Sequence, residues 1–411
     1  MTRSHADDPG ALDASSTRPS IGEFDHLDPR LADTLHGTFA GFRGRCPVAH
    51  STAHGGFVLV TGQDDIAAVA KDGATYSAAV TGLGAAALFP GSGDVIAPLF
   101  ETDPPTHTGW RRLLQPFFTP AAVEAHAPFI QSTTDEVLAE LVPRGRCEAG
   151  AEIAARIPTV VVAEVMGVAK ERHQELAALG RGLVAPDSPQ QARDAVAGVV
   201  EFLRREIRER RDRVNHDADP LTAVVHAVVE GRAPSDDELL KHAFIMVSAG
   251  FMTTVDTLSN AVLQLARDPG LRTQVRRDHS LVADFIEEVV RHEPPIVATA
   301  RTVLRAATLG GVDLQPGDRL LLAWASGCRD ERHVDDPARF RLDRPRPGRS
   351  LGWGAGVHRC LGMRLARLQL RIVLSSLLDA IPDFTLDPGM PPTRTSGVLR
   401  GVRHLHLTWR V

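Results

Sequence analysis

Apolar residues recur at three- and four-residue spacing along most of the chain between about 120 and 295, the period of helices that bury one face. The pattern predicts helices over 121–141, 151–166 and 192–214. Short alternating or β-branched pieces near 57–61, 299–303, 319–323 and 405–409 predict strands, placed towards the two ends of the sequence. Helices and strands do not alternate as in βαβ units, so the chain reads as mainly α with small β-sheets, an α+β fold. Residues 1–20 are polar, with Pro9, Gly10 and Pro19, and read as a disordered tail before a single domain over 21–411.

The longest helical pattern runs from 235 to 268. Ser235 and Glu238 have the spacing of a capping box, and Asp268-Pro269-Gly270 supplies the stop. A helix of roughly 33 residues is about 50 Å long and crosses a whole domain. Its middle, 246–254, is apolar nearly all round and therefore buried. Gly250, Thr253 and Thr254 interrupt it with residues that weaken the hydrogen-bond ladder. A buried helix with a weak centre predicts a place where something small sits against its backbone.

Composition narrows the class. With 43% hydrophobic residues in 411, the chain can bury a large core, and a net charge of −5 argues against nucleic acid as a partner. Cys46, Cys147, Cys328 and Cys360 form no C-x-x-C pair, so neither a disulfide framework nor a structural zinc site is expected. The polar N-terminus has no signal-peptide pattern, and no apolar run reaches the roughly 18 residues of a membrane span. The expected setting is the reducing cytoplasm, with no membrane contact.

Candidate chemistry concentrates in Leu351-Gly352-Trp353-Gly354-Ala355-Gly356-Val357-His358-Arg359-Cys360-Leu361-Gly362. Three glycines in five residues let the backbone turn tightly and approach something flat and bulky. Cys360 stands just before a helix predicted over 361–378, whose N-terminal N–H groups and dipole lower a thiol pKa and hydrogen-bond a thiolate. Such a sulfur suits iron in a macrocycle; a lone buried cysteine with no chemistry is the plain alternative. A dinucleotide loop does not fit, because the third glycine of G-x-G-x-x-G falls on Val357 or Arg359.

Gly354, Gly356, His358, Cys360 and Gly362 spell a motif that resembles the haem-binding loop of the cytochrome P450 family, soluble bacterial type, and the resemblance extends from about residue 22 to 410. It implies the P450 fold, haem b (iron protoporphyrin IX) as cofactor and Cys360 as its axial thiolate. Glu288-Val289-Val290-Arg291 resembles the family's E-x-x-R, with Arg344 as third partner in a network behind the loop. Asp103-Pro104-Pro105-Thr106-His107-Thr108-Gly109-Trp110-Arg111 resembles its D-P-P-x-H-x-x-x-R, which places His107 and Arg111, with Arg301 and His358, on the haem propionates. Ala249-Gly250-Phe251-Met252-Thr253-Thr254 resembles the oxygen-binding segment. Thr253 falls on its alcohol, but Met252 stands where the family generally has a carboxylate, and a thioether carries no proton. Asp256 shares a helix face with both and is a candidate substitute in the proton relay; a paired or solvated helix residue is the alternative. Trp353 replaces the usual Phe and either hydrogen-bonds the thiolate or packs under the porphyrin.

The implied activity is monooxygenation: O₂ is activated and oxygen inserted into a largely apolar organic molecule, as in tailoring a secondary metabolite. Electrons would come from a separate ferredoxin and ferredoxin reductase, docking on a basic face that holds Arg112, Arg364, Arg367 and Arg371. Substrate contacts are expected from Leu83 in the loop 80–100, the segment 176–197, Ile245, Ser248, Ala249, Ile296, Val297, Ala298, Val398 and Leu399. Two other readings stand beside it. Met252 and Trp353 fit oxidative coupling, ring closure or peroxide-driven oxidation, and a non-catalytic haem sensor or carrier is the third.

Overall fold

The computed structural model describes residues 18–79, 98–184, 188–212, 215, 219–345, 350–395 and 397–411. Around the long helix, which runs Asp236–Arg267, the other helices assemble. Its capping box is made in full: the Ser235 hydroxyl accepts the Glu238 N–H, and the Glu238 carboxylate accepts the Ser235 N–H at 2.8 Å. Every residue from Thr254 to Leu263 is buried, so this half of the helix is surrounded by protein. Helices Arg156–Val165 and Pro189–Arg210 and the hairpin strand Val402–Arg403 pack against it.

The helical expectations hold with instructive breaks. The span 121–141 divides into Pro120–Glu124 and Ala127–Leu141, where Pro128 lacks the N–H that would continue the ladder. The span 151–166 opens as a π turn, Gly150–Ala155, before Arg156–Val165. The third helix starts earlier than expected, at Pro189, because the Ser188 hydroxyl caps it by accepting the Gln191 N–H.

Five strands form the main sheet, in the order Val48–Ser51, Phe57–Val60, Arg319–Leu322, Thr299–Val303 and Tyr76–Ser77. Only Phe57–Val60 and Arg319–Leu322 run parallel. A three-stranded sheet places His406–Trp409 between Arg146–Glu148 and Phe384–Leu386. Residues 18–20, assigned to the tail from sequence, are held against the main sheet. Ser20 bridges to His50, and Arg18 pairs with Asp318 at 2.7 Å.

Behind the cysteine loop the E-x-x-R pair is a buried network. Arg291 grips Glu288 with two hydrogen bonds of 2.7 Å, and Arg344 adds a third at 2.9 Å. Burial opposes the Glu288 charge, yet the hydrogen bonds and charges of Arg291 and Arg344 win and hold its carboxyl below the usual range. Arg291 and Arg344 also bind the carbonyls of Pro337, Arg339 and Asp335, which ties the loop's approach to the helix Val282–His292. Arg291→Ala leaves a buried carboxylate short of its main partner, and the expected loss is about 3–5 kcal/mol. An unfolding free energy from denaturant titration within about 1 kcal/mol of wild type would contradict this.

Candidate active site: a cysteine-floored cavity

The cysteine loop is pressed into the protein by its glycines. A Cβ on Gly352 would stand 2.6 Å from the Val290 carbonyl oxygen, and one on Gly356, at φ +65, would stand 1.9 Å from that of Ala70. The glycines therefore bring the loop onto other protein backbone, where the sequence alone suggested approach to a flat ligand. The loop closes through the Cys360 N–H, which donates to the Trp353 carbonyl at 3.0 Å. The following helix, Met363–Ala380, starts at Gly362.

Cys360 is accessible although protein packs closely round its thiol, because its open side is a cavity between this loop and the long helix. Burial pushes the thiol pKa up. The Gly362 N–H, Arg111, Arg367 and the Met363 N–H act against it without prevailing, so the expected net depression by the helix terminus is not what the structure gives. A cation in front of the sulfur is the element that would ionise it outright.

The cavity has about 1730 Å³ of atom-free space, a figure that takes in the open solvent at its mouth. Of the residues singled out from sequence, Arg111, Ile245, Ala249, Gly250, Thr253, Ile296, Arg301, Trp353, His358, Cys360 and Gly362 line it. Among the described residues that line it, Arg111 and Arg301 bring positive charge and none is an acid. Arg301 is 6% exposed and its only hydrogen bond among the described residues is to the Ala300 carbonyl. Burial lowers its pKa to about 10. Arg111 likewise has no ion pair there, and burial lowers its pKa too. His107 is buried behind His358, with ring centroids 4.2 Å apart, and neither of its ring nitrogens has a hydrogen-bond partner among the described residues. Burial, then Arg301 and His107, push His358 down to about 4; its Nδ1 meets the Leu99 carbonyl at 3.0 Å. Buried donors without acceptors mark a place for an anionic ligand.

The profile of the family described as Cytochrome P450 matches residues 162–399. Cytochrome P450 107B1 of Saccharopolyspora erythraea is 32% identical over 392 residues, covering 92% of this chain and 96% of that one. The cytochrome P450 monooxygenase PikC of Streptomyces venezuelae is 33% identical, with 76% of each chain covered. The cyclomarin C epoxidase CymV of Salinispora arenicola is 33% identical, covering 68% of this chain and 72% of its own. Among solved structures, a post-tailoring hydroxylase of himastatin biosynthesis superposes with a TM-score of 0.83 at 28% identity, covering 92% of this chain and 97% of that one.

The chain belongs to the cytochrome P450 family.

A P450 is a haem-iron monooxygenase that takes small-molecule substrates and O₂ and draws on redox partners, and the residues here fit that cofactor. Cys360 would hold the iron, while His107, Arg111, Arg301 and His358 would meet the two carboxylates of the macrocycle. No helix among the described residues is long and apolar enough to cross a membrane.

Other expected site residues lie off the cavity wall. Met252 packs against the helical core. Asp256 presses on Gly401, where a Cβ would stand 1.9 Å from its carboxylate, and the charge of Arg403 acts on it. Ser248 donates to the Phe244 carbonyl at 2.8 Å. Val297 and Ala298 belong to an apolar cluster with Phe39 and Phe57, behind the wall that Ile296 forms. Leu399 bridges to Ile296, and the Val398 carbonyl accepts the Val297 N–H, so both brace that wall without lining it. Leu83 falls outside the described residues. The Trp353 indole N–H donates to Glu287 at 3.1 Å, so its hydrogen bond goes to that carboxylate, away from the sulfur. Arg367 also binds Glu287, at 2.6 Å, and stacks on the indole.

Thr299 and Trp324 also line the cavity and were missed. The strand period offered a signal for the first, since Thr299 lies two residues before Arg301 and so on the same face. Leu114, Phe118, Val162, Val165 and Met166 carried none, because core and cavity leucines, phenylalanines and valines look alike in sequence.

Two tests follow from these placements. Arg301→Ala should weaken haem retention at least tenfold, read as haem transfer to apomyoglobin; unchanged transfer would remove Arg301 from the carboxylate site. Burial raises the Asp256 pKa to about 7, while in the unfolded chain it lies near 4. The folded protein therefore holds an extra proton between those values, and stability falls as pH rises from about 4 to 7. Asp256→Asn should raise the melting temperature at pH 8 and leave it unchanged near pH 4, whereas parallel shifts at both would refute the assignment.

Proposed function

We propose that this protein is a haem b monooxygenase of the cytoplasm that inserts one oxygen atom from O₂ into a largely apolar small molecule, tailoring a secondary metabolite. A separate ferredoxin and ferredoxin reductase supply the electrons. The observation that carries this reading is Thr253 on the cavity wall opposite the cysteine loop, among apolar neighbours such as Ile245, Met246, Val162 and Ile296. Relatives named as an epoxidase and as a biosynthetic hydroxylase support the substrate class.

When bound, the haem supplies O₂ activation with two electrons and two protons, one oxygen atom passing to the substrate and the other to water. The chain's own residues do the rest. The apolar wall excludes bulk water and orients the substrate by shape. The Thr253 hydroxyl donates to the Ala249 carbonyl at 3.0 Å, which leaves its oxygen lone pairs to accept a hydrogen bond from a protonated group in the cavity. Thr257 also lines the cavity, and its hydroxyl donates to the Thr253 carbonyl at 2.7 Å, which continues the polar line along the helix. Asp256 stays out of this line and acts through fold stability. Arg112, Arg364 and Arg371 are exposed, and with the half-buried Arg367 they offer an acidic ferredoxin its docking charge.

A second reading, oxidative coupling or peroxide-driven oxidation on the same haem, has one observation in its favour. The cavity-facing residues of the long helix are Ile245, Met246, Ala249, Gly250, Thr253, Thr254 and Thr257, and none is an acid. Turnover under ¹⁸O₂ decides between them. Product carrying one ¹⁸O atom is expected, and unlabelled product formed with O₂ consumption contradicts monooxygenation. Thr253→Ala should lower product formed per O₂ consumed by about tenfold or more, with Thr253→Ser close to wild type. Equal coupling in all three would remove Thr253 from proton handling.

A further inference from the structure

Away from the haem cavity, the fold brings two imidazoles and a carboxylate together beside the main sheet. Asp25 and His26 belong to the segment before the first helix, Leu31–Arg45, and His54 belongs to the turn between the strands Val48–Ser51 and Phe57–Val60. One ligand atom from each of the three lies within 4.8 Å of the other two. His54 Nε2 stands 2.6 Å from Asp25 Oδ1, and the His26 and His54 rings meet edge to face with centroids 5.4 Å apart.

Each donor is held by its surroundings. Asp25 Oδ1 also accepts the Leu27 N–H at 2.8 Å. Arg319 Nη2 donates to the carbonyls of His54 and Gly56 at 2.6 Å each, which pins the turn with His54 at φ +53. His26 is 2% exposed and packs edge-on to Phe57, while the Asp25 side chain is 40% exposed. The cluster thus has an anchored side and a side open to water. His54 and Asp25 form a hydrogen-bonded pair, and His26 brings a second imidazole to the same point.

We propose that Asp25, His26 and His54 form a binding site for a divalent transition metal of the Zn²⁺ type, with solvent completing the coordination. Two imidazoles and one carboxylate are the donor set that zinc takes at sites with an open position, whereas Ca²⁺ and Mg²⁺ ask for oxygen throughout. Ligand bonds of about 2.0–2.2 Å require His54 and Asp25 to part slightly and His26 to close in. The bound metal ties the N-terminal segment to the sheet. Phe24, beside the cluster, packs with Phe39, Phe57, Val297 and Ala298, the layer behind Ile296 in the cavity wall. The site stands independently of the haem chemistry.

The chain has 17 histidines, so zinc binding alone does not locate the site, and variants must do so. Untagged, chelator-stripped holoprotein is titrated with Zn²⁺ by calorimetry, with melting temperature and Co²⁺ visible absorption as second readouts. One tight site is expected in wild type, at least tenfold weaker in Asp25→Asn and lost in His54→Ala. Zinc should raise the melting temperature of wild type and not that of His54→Ala. Both substitutions are at partly exposed positions, and an unchanged haem Soret band reports their folding; if one fails that check, His26→Asn takes its place. No tight site in wild type, or equal affinity in wild type and a folded His54→Ala, overturns the proposal.

Discussion

Everything in the site depends on one sulfur being presented to an internal cavity at the end of a loop packed tightly onto the protein. The loop is fixed from outside: Gly352 lies against the Val290 backbone and Gly356 against that of Ala70, so neither position admits a side chain. The Glu288–Arg291–Arg344 network then locks Val290's helix to the backbone that enters the loop. Rigid protein on one face leaves Cys360 a single open direction, which is the arrangement a metal ligand requires.

The rim of the cavity shows the complementary constraint. Arg111, Arg301, His107 and His358 gather with no carboxylate in an ion pair with them among the described residues, and burial depresses the pKa of each. By itself that concentration of donors costs stability. It makes physical sense when a dianionic group completes it, so the polar rim and the cysteine floor point to the same cofactor from two unrelated kinds of evidence.

How far the sequence reveals this differs by level. The long helix was legible to within a residue at each end because capping chemistry is local: Ser235, Glu238 and Asp268 act on neighbours in the chain. The strand Thr299–Val303 was legible for the same kind of reason, its alternation being local. The cysteine loop and the cations at the cavity were singled out through spacing and family resemblance together. Facing was not. Val297 and Ala298 look as apt for a cavity as Ile296, and only the packing of the N-terminal segment against Val297 and Ala298 decides which residue faces the cavity. Asp256 shares a helical face with Thr253 on paper, yet its carboxylate packs against Gly401 and does not line the cavity. The Trp353 indole was open to two partners in sequence, and Glu287, 66 residues earlier, settles it. These outcomes rest on contacts between distant segments, which periodicity does not encode.

The most direct measurement is the absorption spectrum of the reduced, carbon-monoxide-bound protein, for wild type and for each of the four cysteines replaced in turn by alanine. Thiolate ligation by Cys360 gives a red-shifted Soret band in wild type and in the Cys46, Cys147 and Cys328 variants, and loses it in Cys360→Ala. A wild-type protein without that band, or a Cys360→Ala protein that keeps it, contradicts the assignment of this sulfur to the iron.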